Sequence, residues 1–173
     1  MSAPEFSRVL DVRQCDGREV VLEAMPEERA ALADRFGVVQ VKRLKATMVL
    51  QREGNDLQTT GQLEADLIQT CAISGEDFRV RIAEPLVLRF VPASSGNHQD
   101  EDLEIDSSDP DEIEYTGTEI DLGEAIAQSL ALAIDPFATG PNAEAARAQL
   151  GGEAASPFAA LAALKRGPDE GSN

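Results

Sequence analysis

Three long β-favouring runs follow one another between residues 38 and 91, each closed by a turn. Val38 to Arg52 is interrupted by Gly54-Asn55-Asp56, Leu57 to Cys71 returns, Ser74-Gly75-Glu76 breaks the chain again, and Phe78 to Val91 continues. Runs of this kind joined by short turns pair as antiparallel neighbours. In the second run Leu63, Ala65, Leu67 and Gln69 fall on one face, and Glu64, Asp66 and Ile68 on the other. In the third, Phe78, Val80 and Ile82 alternate with Arg79 and Arg81, and Leu86, Leu88 and Phe90 oppose Arg89. A period of two with apolar and charged sides describes a sheet with one face in the core and one in water.

The flanking segments supply the rest of a domain. Residues 6–14, with Phe6, Val9, Leu10 and Val12, read as a first strand, and Glu19 to Ala24 as an extended continuation beyond Asp16-Gly17. Pro26 to Phe36 reads as a short helix. Pro26 suits the first turn, Glu27 and Glu28 sit at the positive end of the dipole, Arg35 at the negative end, and Gly37 is a left-handed stop. A second helix is expected over about 122–134. Asp121 and Glu124 form a capping-box-like start, Leu122, Ile126, Leu130 and Ala133 recur at helical spacing, and Pro136 ends it. Ala143 to Leu150 and Ala159 to Lys165 read as short helices, and 166–173 as a disordered tail. The fold class is therefore α+β: a twisted antiparallel sheet, able to curl towards a barrel, with the 122–134 helix packed on it.

Charge divides the 173-residue chain in two. Residues 1–91 hold 12 basic and 15 acidic side chains, whereas 92–173 hold 3 and 17. Within 100–124, 12 residues are acidic and none is basic. Self-repulsion and the small apolar content predict a long, mobile acidic loop over 92–118. Three roles suit it: a solvated insert, a docking surface or phosphate-backbone mimic for a basic partner, and a carboxylate metal site. For the last, the fixed glycine and ligand order of a known calcium loop are missing. A net charge of -17 excludes a DNA binder that works by counterion release. No apolar run is long enough to cross a membrane, and the early charges Glu5, Arg8 and Asp11 are unlike a secretory signal, so a cytoplasmic location is expected.

The catalytic inventory is thin. His98 is the only histidine, and Cys15 and Cys71 are far apart in sequence. A nucleophile–base pair would have to use that histidine. The cysteines read as buried small apolar groups. Phosphate-cradling glycine motifs are lacking. The basic residues are more informative: Lys42, Arg43 and Lys45 lie on one strand, Arg79 and Arg81 on another. If those strands neighbour each other, they form a cationic stripe able to touch RNA or phosphate; otherwise they are a solvated face paired with Glu64 and Asp66.

The segment Gly61-Gln62-Leu63-Glu64-Ala65-Asp66-Leu67-Ile68-Gln69-Thr70-Cys71, running on to Glu76, Phe78 and Glu84-Pro85-Leu86-Val87-Leu88-Arg89-Phe90, resembles the central signature of the YceD family. Ile120-Asp121-Leu122-Gly123 and Leu130-Ala131-Leu132-Ala133-Ile134-Asp135-Pro136-Phe137 resemble its second signature. Ser156-Pro157-Phe158-Ala159-Ala160-Leu161 resembles the C-terminal box of its proteobacterial branch. The resemblance covers most of residues 5–165, implying one domain over 1–165. Where cysteine-bearing relatives continue after the first cysteine, this chain has Ala72-Ile73-Ser74, and after Phe137 it has Ala138-Thr139-Gly140. No metal or other cofactor is therefore expected.

The resemblance implies a bacterial, non-enzymatic factor supporting accumulation of large-subunit ribosomal RNA, with precursor ribosomal components as partners. Gln69, Cys71, Glu76, Asp121, Leu122, Asp135 and Pro136 become candidate partner contacts through it. The residues by themselves leave two alternatives open: a metal-dependent hydrolase using the acidic carboxylates, and a regulatory binding module unrelated to ribosomes.

Overall fold

The computed structural model describes residues 4–93 and 111–150. The three expected strands are β3 (Gln40–Glu53), β4 (Asp56–Thr70) and β5 (Asp77–Pro92), preceded by β1 (Val9–Asp11) and β2 (Glu19–Glu23). β6 (Asp111–Tyr115) and β7 (Glu119–Asp121) follow. The helices are α1 (Pro26–Phe36), α2 (Leu122–Ala133) and α3 (Ala143–Leu150). The main sheet has the order β2-β3-β4-β5-β6, and β1 pairs with β7 apart from it.

Alternation sets the sheet's sides. Leu44, Ala46, Met48 and Leu50 of β3, Leu63, Ala65 and Leu67 of β4, and Leu86, Leu88 and Phe90 of β5 all enter one core. Phe6, Leu32, Leu122, Ile126 and Leu130 meet them there. α2 packs on β4 and β1, and α1 packs on β3. Burying each large apolar side chain of α2 contributes on the order of 1.5–3 kcal/mol. At the middle of β4 the backbones approach so closely that a Cβ on Gly61 would lie 1.9 Å from the Thr47 carbonyl oxygen. Only glycine fits there.

Helix ends follow the sequence signals. Gly37 takes φ 65° after α1, where Arg35 occupies the last turn. The Glu28 carboxylate accepts from Met25 N–H at 2.8 Å, closing the first turn. Asp121 caps α2 by accepting from Glu124 N–H at 3.1 Å.

Four expectations need correction. The sheet stays open and does not close into a barrel: its edges are β2 and β6, which do not pair with each other. It is mixed, because β6 runs parallel to β5, with Phe90 opposite Ile113. The expected loop over 92–118 therefore ends in regular structure from Asp111. Ile113 and Tyr115 alternate inward against the core while Glu112 and Glu114 face water, and that period outweighs the charge. Tyr115 also donates to the Asn55 carbonyl at 2.7 Å, and Arg89 meets Glu112 at 3.4 Å. Finally, the first strand is short. Asp11 accepts from Arg13 N–H at 2.9 Å, turning Val12–Gln14 into a 3-10 turn that buries Val12. The expectations for residues 94–110, the 159–165 helix and the 166–173 tail lie outside the described residues.

Two substitutions test this packing. Leu130→Asp places a carboxylate at a fully buried position, so thermal unfolding should show a loss of roughly 4 kcal/mol or more. A Cβ on Gly123 would lie 2.7 Å from the Phe6 carbonyl oxygen and 2.8 Å from Arg8 N. Gly123→Ala should therefore cost about 1–3 kcal/mol in denaturant melts by forcing the amino-terminal segment off α2.

Candidate functional site

The basic residues singled out by sequence do not form one stripe. β4 lies between β3 and β5, so Arg43 and Lys45 stand across Asp66 and Glu64 from Arg81 and Ala83. Arg43 approaches Glu64 at 3.8 Å. Arg79 and Arg81 both reach Asp66, at 3.0 and 3.2 Å, and cover it. Burial pushes the Asp66 carboxyl up, but the hydrogen bonds from Arg81 and Arg79 outweigh it and hold the group below its ordinary range. Lys42 is separated from the others by a bulge between Val41 and Arg43. It lines a groove against α1 with Arg29 and Asp34, and its carbonyl accepts from the Arg29 guanidinium. The outer face thus reads as basic, acidic, basic across three strands.

The two family-like signatures meet at one end of the sheet. Gln69, at the end of β4, donates through Nε2 to the Asp135 carbonyl at 3.1 Å. Its Oε1 is buried without a partner among the described residues. Cys71 N–H donates to the Glu76 carbonyl at 2.8 Å, closing the turn into β5, and Ala72 N–H donates to Ala138 at 3.1 Å. The Glu76 carboxylate accepts from Asn142 Nδ2 at 2.8 Å, just before α3. The Asp135 carboxylate accepts from Phe137 N–H at 2.8 Å, shaping the turn around Pro136. A Cβ on Gly140 would lie 2.9 Å from the Phe78 ring, so the returning chain passes directly over it.

Cys71 sits inside this seam and is only 3% exposed. The Ser74 hydroxyl and the N–H groups of Ser74, Gly140 and Ile73 point at its sulfur and bring the thiol down to about 6. Ser74 N–H lies 3.3 Å from Sγ. Cys15 behaves oppositely: burial pushes its thiol up. The spacing of the two cysteines predicts buried small apolar groups, and only the family resemblance makes Cys71 a candidate contact. Ser74, Phe78, Gly140 and Asn142 were not among the candidate contacts. Gly140-Pro141 is visible as a break, but nothing in sequence spacing places it on Phe78.

Asp121 and Leu122 do structural work. The Asp121 carboxylate receives the Ser7 hydroxyl at 2.5 Å and Arg8 N–H at 2.8 Å besides capping α2. Leu122 is fully buried and offers no surface to a partner. Around them, Arg35 ties Glu124 and Glu5, each at 2.8 Å, and Arg8 pairs with Glu28 at 2.7 Å while lying over the Phe6 ring. The hydrogen bond from Arg35 holds the Glu124 carboxyl below its ordinary range. Among the described residues no group of His, Cys, Asp or Glu is arranged to hold a metal ion. No described helix is long and apolar enough to cross a membrane.

The model of one protein family, described as large ribosomal RNA subunit accumulation protein YceD, matches residues 59–165. The chain belongs to the YceD family. Neither the curated proteins nor the solved structures gave a match. The YceD match begins within β4 and takes in both halves of the seam around Cys71. The family's description points to accumulation of large-subunit ribosomal RNA.

The depressed Cys71 thiol gives a pH prediction. A thiol of ordinary value in the unfolded chain and about 6 in the folded one contributes stability that is complete above the unfolded value and lost as pH falls through 6. The melting-temperature difference between the protein and Cys71→Ala should therefore widen from pH 6 to pH 9. A constant difference over that range would show a neutral thiol.

Proposed function

We propose that this YceD chain supports accumulation of large-subunit ribosomal RNA as a non-catalytic adaptor that engages a basic protein of the precursor particle. The observation that carries the reading is the neutralised outer face: Asp66 takes up both Arg79 and Arg81, and Glu64 faces Arg43. Broad RNA binding needs uncommitted cations that release counterions. Here Arg43, Arg79 and Arg81 of the exposed sheet face are paired with carboxylates, which leaves Lys45 as the unpaired cation there among the described residues, and the whole chain carries -17. At long range such a molecule repels RNA and attracts basic proteins. Ribosomal proteins are commonly basic, and their association with this chain should be fast and salt-sensitive.

A non-catalytic role accords with the scarcity of proton shuttles, His98 being the only histidine. Local contact with RNA through Lys42 or Lys45 remains compatible with the adaptor, since neither lies in the Asp66 cluster.

Loss of the protein from its bacterium should lower the ratio of large-subunit to small-subunit ribosomal RNA, with recovery on re-expression. The protein should co-sediment with large-subunit precursors, and doubling the salt should release it. Deleting 97–108, which leaves β6 intact, should weaken that association several-fold if the acidic stretch steers the partner. An unchanged RNA ratio in the depleted strain would overturn the reading.

A further inference from the structure

The main sheet ends on β6, and among the described residues no strand covers the outer edge of β6. A strand edge presents N–H and C=O groups that pair with water or with another chain. Beside it runs a groove of about 290 Å³ between β6, β7 and the first turns of α2. Ile113 and Tyr115 are its half-buried apolar members over a floor of buried Phe90 and Ile120, Glu114 and Glu119 stand at its side, and among the described residues no basic side chain lines it. Neighbouring carboxylates are already engaged, Glu112 with Arg89 and Glu124 with Arg35. Glu114 and Glu119 have no ion-pair partner among the described residues.

We propose that β6 and this groove take up an extended basic segment of a partner protein as an added strand of the sheet. The proposal rests on the adaptor reading and names its docking site. The three features fit one occupant. The edge of β6, which no described strand covers, supplies main-chain hydrogen bonds, which give affinity without regard to sequence. Alternate side chains of an added strand point to opposite faces, so every second residue falls on the side of Ile113 and Tyr115. Glu114 and Glu119 then select Lys or Arg. A second copy of this chain is the wrong occupant, because it brings its own excess of acid to an acidic edge. Single-stranded RNA is wrong for the same reason.

The test uses the full chain, isotopically labelled, titrated with a synthetic peptide that alternates Lys or Arg with Val or Ile. A second peptide has the same side chains but N-methylated alternate amides, which keeps the charge and removes strand pairing. Saturable shifts should centre on the amides of Asp111–Tyr115, and N-methylation should abolish them. Glu114→Lys with Glu119→Lys should weaken binding roughly 10-fold. If that variant has a lowered melting point, Glu114→Gln with Glu119→Gln serves in its place, with a smaller loss. Equal binding of both peptides would reduce the site to unspecific attraction and overturn the proposal. So would no binding, which would make the edge carboxylates a guard against self-association, and so would oligouridylate shifting the same amides. These outcomes are independent of the ribosomal RNA ratio in cells: failure here removes the docking site, and failure there removes the adaptor role.

Discussion

One carboxylate holds the architecture together. Asp121 ends β7, starts α2 and receives both the Ser7 hydroxyl and the Arg8 amide, so it ties the amino-terminal segment to the β7–α2 junction more than 100 residues later. Besides it, the amino-terminal segment is held by a three-residue pairing with β7, by buried Phe6 and by the ion pairs of Arg8 and Glu5. A pairing that short is marginal by itself. Gly123 completes the arrangement, because the backbone of Phe6 and Arg8 occupies the space where a side chain would stand. The order Asp121-Leu122-Gly123 is thus a cap, a core anchor and a clearance, each with its own cause.

Most of the fold was legible because it depends on short-range regularity. The hairpin of β3 and β4, the bounds of α1, the Gly37 stop and the Asp121 start of α2 follow from alternation, helical spacing and capping chemistry. β6 was hidden because its two inward residues, Ile113 and Tyr115, sit in so acidic a run that composition masked the period. The mixed character of the sheet was also hidden, since a parallel neighbour leaves no local turn signal.

The candidate site was legible to a lesser degree. Cation placement depended on strand order, and β4 rather than open water separates Arg43 from Arg81. The bulge before Arg43 moved Lys42 to the α1 side, and no one-residue irregularity of that kind announces itself in an apolar–polar pattern. Around Cys71, the resemblance named Gln69, Glu76 and Asp135 without saying what joins them. Much of the answer is main-chain chemistry: the carbonyls of Asp135, Glu76 and Ala138 and the amide of Gly140 are the partners of Gln69, Cys71 and Ala72, and a main-chain partner leaves no mark in the sequence.

The parallel course of β6 beside β5 has a further consequence. The chain leaves at Pro92 and re-enters at Asp111, opposite Leu88. The gap along the sheet is only four residues, about 13 Å. The intervening polypeptide is several times longer than that span requires. Closure entropy grows slowly with length, so adding or removing residues there costs little. Evolution is therefore free to lengthen, shorten or recharge that connection while the scaffold stays the same.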